Sequence, residues 1–238
     1  MRVYINAKGT RNDTHVNCRS EPNTNSKVEW YLTTIGVIVE FVKEQGEWRN
    51  YKYDGKSFWV NNSAHDWVEL KDKLITTEYV SQNDALSNRH PNDCGIASIA
   101  TLMKYINPDF NRTVNQLAIE IGLQGSSFTN FGQLITIARN HGYQSEYVRP
   151  LMLSDVLKHI YDDTPVLTLV NYDKLIRGKR YGHFLVVVGI IDEDIITHDP
   201  NTKAYMRYNI MNFAEGLAQV GTDANMPFQG LYLKGKKK

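Results

Sequence analysis

The spacing of apolar residues changes once along this chain, and the change limits what it can fold into. Between Val16 and Leu70, apolar and polar residues alternate over short runs separated by turn residues. The runs are Val16–Thr24, Lys27–Leu32, Gly36–Val42, Gly46–Tyr53 and Lys56–Val60, and Asp54-Gly55 joins the last two. Period-two alternation marks half-buried strands, and Asp-Gly between two such runs is a strong hairpin signal. Short strands in this number predict a small all-β barrel. From Cys94 the period lengthens. Ile96, Ile99, Ala100, Met103 and Ile106 recur at the spacing of one buried helix face. Later segments return to strands, with Pro165–Asn171, His183–Ile191, Asp194–His198, Lys203–Tyr208 and Gly230–Leu233 predicted to form an antiparallel sheet. The expectation is a barrel over residues 1–72, then an α+β domain over 73–238 in which the helix from Cys94 packs on that sheet. Lys71-Asp72-Lys73 is the linker.

Cys94 sits where the helical pattern begins, in Asn92-Asp93-Cys94-Gly95. The unpaired N–H groups and dipole of a helix start favour negative charge, and a thiolate is such a charge. His183 opens the apolar run Phe184–Ile191, and Asp194–Asp199 reads as a second short strand. If the two pair as a hairpin across Ile190–Glu193, His183 and Asp199 become neighbours at its open end. A carboxylate beside an imidazole fixes its tautomer, so the three residues form a nucleophile, a base and an orienting acid. Strand alternation turns His198 to the face opposite Asp199. His15, His65, His90, His141 and His159 have no evident partners and are expected at the surface.

Net charge is +1, which implies no strong field for nucleic acid or anionic membrane. The longest apolar run, Phe184–Ile191, is far below membrane-spanning length. Met1–Lys8 is too polar for a secretory signal, so the expectation is cytoplasmic synthesis with later release by lysis or association with a virion. Two cysteines in different segments argue against a disulfide framework. The chemistry of a thiol, an imidazole and a carboxylate calls for no metal or organic cofactor.

The order Cys94, His183, Asp199, with Asp93-Cys94-Gly95, Gly182-His183-Phe184-Leu185-Val186-Val187 and His198-Asp199-Pro200, resembles the bacteriocin-processing (double-glycine-leader) peptidases. Those are papain-like cysteine peptidases. Phe131–Tyr143 is similar to their second or third helix, and Thr164–Val170 to the strand before the histidine. The resemblance runs from about Tyr79 to Leu233. It implies that Cys94 attacks a carbonyl, His183 serves as base and then acid, and Asp199 orients His183. It also implies an oxyanion-binding glutamine shortly before the cysteine. The nearest is Gln82, twelve positions back, with Asn88 and Asn92 as rival amide donors. No phosphate-binding Gly-x-x-x-x-Gly-Lys-Ser/Thr string follows, so leader-peptide export is not expected.

The first segment resembles a bacterial Src-homology-3 module through Asn17-Cys18-Arg19-Ser20-Glu21-Pro22, Gly46-Glu47-Trp48 and Asp54-Gly55-Lys56 followed by Phe58-Trp59-Val60-Asn61. The usual residue at Cys18 in such modules is apolar, so Cys18 is read as a core filler. Trp48, Tyr51, Tyr53 and Trp59 are the candidate substrate-binding aromatics, expected along one face of the hairpin as a groove for an extended peptide. Together the resemblances imply a cysteine peptidase directed to peptidoglycan or a surface protein. Hydrolysis and acyl transfer share the same acyl-enzyme, so an amidase or transferase follows from the same residues. The rival expectation is a non-catalytic binding or structural protein that keeps the fold, which the displacement of Gln82 favours.

Overall fold

Strand-forming residues of the first seventy positions pair into one antiparallel sheet, but it has seven strands where the alternation predicted five. The computed structural model describes residues 1–8, 15–83, 92–123, 127–219 and 227–236. In chain order the strands are β1 (Arg2–Ala7), β2 (His15–Arg19), β3 (Val28–Thr33), β4 (Val37–Gln45), β5 (Trp48–Tyr53), β6 (Lys56–Asn61) and β7 (His65–Glu69), arranged β3-β2-β6-β5-β4-β1-β7. The unexpected β1 lies between β4 and β7. Its residues Val3 through Ala7 are all buried, Tyr4 and Asn6 included, so it shows no alternation to read. Residues from β1 through β6 share one core containing Val3, Ile5, Cys18, Leu32, Val39, Tyr51 and Val60, which requires the sheet to curl on itself. Cys18 fills this core as its sequence context implied, and burial pushes its thiol up to about 12. Asp54 and Gly55 both take positive φ, 48° and 75°, and join Tyr53 to Lys56 in the predicted hairpin.

Two expectations for this unit need correcting. In an antiparallel pair, residues directly opposite share a face. Asn50 opposes Trp59 and Trp48 opposes Asn61, while Tyr51 opposes Phe58 and Tyr53 opposes Lys56. Trp48 and Trp59 therefore lie on one face and Tyr51 and Tyr53 on the other, so the four do not line one groove. His65, expected at the surface, is buried. Its Nδ1 lies 2.8 Å from the Asn61 carbonyl and its Nε2 lies 2.7 Å from the Tyr51 hydroxyl. A carbonyl only accepts, so Nδ1 carries the proton and Tyr51 donates to Nε2.

The second sheet is built from β9 (Tyr143–Val148), β10 (Val166–Asn171), β11 (Gly182–Ile191), β12 (Asp194–His198), β13 (Met206–Asn209) and β14 (Gln229–Lys236). Its order is β13-β12-β11-β10-β14-β9, with the short β8 (Lys73–Leu74) paired to β11. All pairings are antiparallel. The helices are α1 (Cys94–Ile106), α2 (Val114–Glu120), α3 (Phe131–Asn140), α4 (Leu153–Tyr161) and α5 (Ile210–Ala218). The predicted strand over Lys203–Tyr208 begins only at Met206, because the chain turns through Tyr205, whose φ is 53°. β9 was not anticipated. Cys94 through Met103 of α1 are buried, as is the β-branched run of β11, so helix and strand form the centre of this unit. Gly189 is needed where β8 crosses β11, since a Cβ there would sit 2.4 Å from the Lys73 carbonyl oxygen.

The chain divides into two compact units, Met1–Lys71 with Met152–Lys158, and Asp72–Leu151 with His159–Lys238. Among the described residues, no helix is long and apolar enough to cross a membrane.

The buried His65 makes the first unit acid-sensitive. Burial is the largest influence on its pKa, which falls to about 4 from 6.5. Between these values the unfolded chain binds more protons, so the stability His65 contributes is complete above pH 6.5 and lost as pH falls through 4. A shift of this size corresponds to about 3 kcal/mol. All four tryptophans (Trp30, Trp48, Trp59 and Trp67) lie in this unit, so tryptophan fluorescence reports its unfolding alone. The fluorescence-detected denaturation midpoint should drop between pH 6.5 and 4, and His65→Gln should lower stability at neutral pH while flattening that slope. An equal slope in the variant would refute the assignment.

Candidate active site

Cys94 is the first residue of α1 and 8 % exposed. No acidic residue lies in the helix's first turn to compete with a negative charge there. Gly95 follows in a tight place: a Cβ at that position would lie 3.1 Å from both Phe184 and Thr129, which would have to shift. Its absence lets the first turn of α1 seat against β11, which carries His183. Cys94 lies close enough to the His183 imidazole to act on its protonation.

The β11–β12 hairpin sets the other side. Ile191 pairs with Asp194 across Asp192 and Glu193, whose φ values are 49° and 65°. This is the two-residue turn whose twist suits a hairpin, built here without Gly or Asn. The register places His198 opposite Val186, and Asp199 just past the strand end reaches back to His183. His183 Nε2 lies 2.8 Å from Asp199 Oδ1, and both side chains are buried. With Nε2 so occupied, Nδ1 is the nitrogen left for the thiol. Burial pulls the imidazole down, but its hydrogen bond to Asp199 and the influence of Cys94 outweigh this and raise the pKa to about 9.

Asp199 is a fully buried carboxylate with every position on it used. Oδ1 accepts from His183 and from the Asn201 N–H at 3.0 Å; Oδ2 accepts from the hydroxyls of Tyr172 at 2.7 Å and Tyr208 at 2.6 Å. Burial pushes its pKa up; His183 and the two phenols more than offset this and leave it below the ordinary value. The Tyr172 ring also packs against the His183 ring, tilted by 32° with centroids 4.1 Å apart. Sequence reading missed both tyrosines. Tyr208 falls in an alternating strand and Tyr172 just beyond the apolar run of β10, so only the register across β13, β12, β11 and β10 reveals them.

His198 faces away, as alternation implied. It is buried between the rings of Tyr79 and Tyr205, and burial lowers its pKa to about 4. The segment before the cysteine runs along the Asp199 turn. The Tyr79 hydroxyl donates to the Asp199 carbonyl at 3.0 Å, and the Gln82 N–H donates to the Pro200 carbonyl at 3.0 Å. Gln82 is buried, with its Nε2 3.5 Å from Asn201 Oδ1. The rival donor Asn92 is half-buried beside Asp93, whereas Asn88 and His90 lie outside the described residues. His141 pairs with Glu120 at 2.8 Å, and His159 packs on Tyr232, so neither is a bare surface residue. Among the described residues no cluster of His, Cys, Asp or Glu is arranged to hold a metal.

The aromatic surface of the first unit differs from the expected groove. A cleft of about 510 Å³ is lined by Trp30, Tyr53, Phe58, Glu29, Asp54 and Lys56, among others. Of the four candidate aromatics only Tyr53 borders it. Tyr51 is fully buried in the core, and Trp59 is 8 % exposed with Lys43 over its ring. Trp30, not foreseen as a ligand residue, stacks on Tyr53 at 5.7 Å and 16°. It comes from β3, whose place in the sheet the sequence does not specify.

Comparison with known proteins bears on both units. The family model described as Peptidase_C39 like family matches residues 74–224, and that described as Bacterial SH3 domain matches residues 12–66. Among solved structures, the chain is similar to a protein described as a C39-like peptidase from Bacillus anthracis, with 15 % identity and a TM-score of 0.54 over 71 % of this chain and 100 % of that one. A double glycine motif protease from an AMS/PCAT transporter, solved in complex with the leader peptide, gives 16 % identity and a TM-score of 0.49 over 71 % and 100 %. The peptidase domain of Streptococcus ComA gives 19 % and 0.44 over 69 % and 98 %. At these identities the likeness to the first structure speaks for the fold. No curated protein sequence matches the chain.

The geometry predicts an unusual histidine titration. His183 should titrate near pH 9 in a histidine NMR experiment, assigned by its loss in His183→Gln. Asp199→Asn removes the carboxylate charge that raises it, so the midpoint should fall clearly below 9. Because the folded value lies above the unfolded one, the stability this pair contributes is present below pH 6.5 and lost as pH rises through 9. A midpoint unmoved by Asp199→Asn would contradict the assignment.

Proposed function

This chain belongs to the Peptidase_C39 like family, and on that premise we propose that it is a cysteine peptidase working through an acyl-enzyme. The observation that supports the reading is the buried His183, bonded to the Asp199 carboxylate and within electrostatic reach of Cys94. In the proposed reaction the proton shared by Cys94 and His183 rests on His183, and the sulfur attacks the scissile carbonyl. The oxyanion that forms is held by the Cys94 N–H at the start of α1 and by the Gln82 side-chain amide. His183 then gives its proton to the leaving amine, and a thioester remains on Cys94. Water, deprotonated by His183, attacks the thioester and releases the acid. Asp199 keeps Nε2 protonated and stabilises the imidazolium without taking its proton. Tyr172 and Tyr208 position Asp199 so that its charge stays directed at His183.

The proposed division of labour assigns catalysis to residues 73–238 and targeting to residues 1–72. The match to a bacterial SH3 domain and the exposed Trp30–Tyr53 face of the cleft support a role in holding peptide material of a bacterial cell wall or surface protein near the thiol. Such tethering raises the local substrate concentration without altering the chemistry.

Activity against purified peptidoglycan and a peptide library, read by mass spectrometry, tests both parts. Cys94→Ala should abolish cleavage with the fold retained, whereas Cys18→Ala should keep turnover. His183→Ala should cost more than Asp199→Ala, which itself is expected to lose two or more orders of magnitude, on the order of 10²–10⁴. Full activity in Cys94→Ala would sink the mechanism. Trp30→Ala with Tyr53→Ala should slow the attack on intact walls while small soluble peptides are cut as before; equal rates on walls would remove the targeting role.

A further inference from the structure

The segment joining β10 to β11 leads directly into His183, and it is ordered rather than loose. The Tyr172 N–H donates to the Tyr181 carbonyl at 3.0 Å and closes the loop at its base. Inside it, the Leu175 and Ile176 N–H groups donate to the Tyr172 carbonyl, Lys179 to Ile176, and Tyr181 to Lys179, at 2.8–3.2 Å. The one carboxylate on the loop, Asp173, accepts from the Gly178 N–H at 2.6 Å. Lys174 is paired with Glu215 at 3.1 Å. What remains is Arg177, Lys179 and Arg180, all exposed. Among the described residues none of the three forms an ion pair or a side-chain hydrogen bond.

The loop that carries these cations ends at the site. Arg180 precedes Tyr181, whose half-exposed ring lies edge-on to His183 at 6.3 Å and close enough to Cys94 and Asp199 to feel their charge. On the other flank, the exposed Lys203 gives its carbonyl to the Asp199 N–H at 3.2 Å. Among the described residues, Asp199 is buried, Glu215 holds Lys174, and Asp173 holds the loop. The clustering is local, because the whole chain carries only one net positive charge.

We infer that the site selects peptides bearing carboxylates within a few residues of the cleaved bond, with Arg177, Lys179 and Arg180 as the specificity-determining cations. The inference rests on the cysteine-peptidase reading. A side chain two or three residues from the scissile bond lies about 7–10 Å away along an extended strand, which is about one screening length at physiological salt. Exposed pairs at that range are individually weak, so the selection comes from several cations together and acts on encounter and binding. It is therefore salt-dependent, and leaves the proton transfers of the triad alone.

The test uses the full chain and matched peptides differing only by Glu, Gln or Lys at positions flanking the cleaved bond. The kcat/KM ratio of the Glu to the Lys peptide should be about tenfold at low ionic strength and shrink towards one at high salt. In the triple variant Arg177→Gln, Lys179→Gln, Arg180→Gln that ratio should collapse at every salt concentration. A second measurement needs no peptide substrate: alkylation of Cys94 by iodoacetate, an anion, against iodoacetamide, its neutral counterpart. The triple variant should lower the iodoacetate-to-iodoacetamide rate ratio several-fold at low salt. A reactive Cys94 whose ratio is the same in the variant overturns this inference and leaves the peptidase reading standing. A Cys94 inert to both reagents overturns the two together.

Discussion

Everything at the candidate site depends on the buried Asp199 carboxylate. A charge taken out of water is costly unless each of its acceptor positions is matched, and here each is. His183, the Asn201 N–H, Tyr172 and Tyr208 all donate to it, and they come from β11, the turn after β12, the end of β10, and β13. One ion thus ties four successive pieces of the sheet to a single point. Losing a donor leaves a buried charge partly unmatched, so the tyrosines serve the stability of the fold and the direction of the charge at the same time. The same arrangement explains why a buried imidazole stays basic: the carboxylate opposes the desolvation that would otherwise keep His183 neutral.

The thiol side is arranged by packing rather than by charge. Gly95 permits close contact of α1 with Phe184 and Thr129, and Phe184 is the next residue after His183. The Phe131 ring packs against Phe184 at 5.1 Å and Tyr147 at 4.9 Å, so α3 and β9 brace the strand that bears the base. The N-terminal ends of α1 and α3 each carry part of this support. α3 is closed by a reciprocal cap between Asn130 and Gln133, a local signal written in the sequence. The 79–82 segment adds a strap over the Asp199 turn through Tyr79 and Gln82. An added Cβ at Gly95 would press on the contact between cysteine and histidine without touching either residue.

The first unit solves a parallel problem with neutral groups. Tyr51 and His65 satisfy each other inside an apolar core, with the histidine's second nitrogen answered by a main-chain carbonyl. That pairing takes Tyr51 out of consideration as a ligand residue and moves the exposed aromatic surface to Trp30 and Tyr53. The two units therefore use aromatic hydroxyls alike, as donors that make a buried polar partner tolerable.

How much of this was legible in the sequence can be said residue by residue. The helix starting at Cys94, the run of β11, the hairpin returning to Asp199 and the Asp54-Gly55 turn are local patterns. Periodicity and turn chemistry carry them within a dozen residues, so the sequence by itself determined the α+β class, the all-β first segment and the pairing of His183 with Asp199. Long-range registers were decided only in three dimensions. β1 hides between β4 and β7 because a strand buried on both faces shows no alternation. Tyr172 and Tyr208 converge on Asp199 because β10 and β13 flank β11 and β12, an order no local signal states. Trp48 parts from Tyr51 and Tyr53 through the alternation of β5 itself, and the hairpin register sets Trp59 on the face of Trp48. Spacing along a chain fixes which side of its own element a residue occupies. Which element lies opposite is settled by the packing of the whole sheet, and there the tertiary structure had the final word.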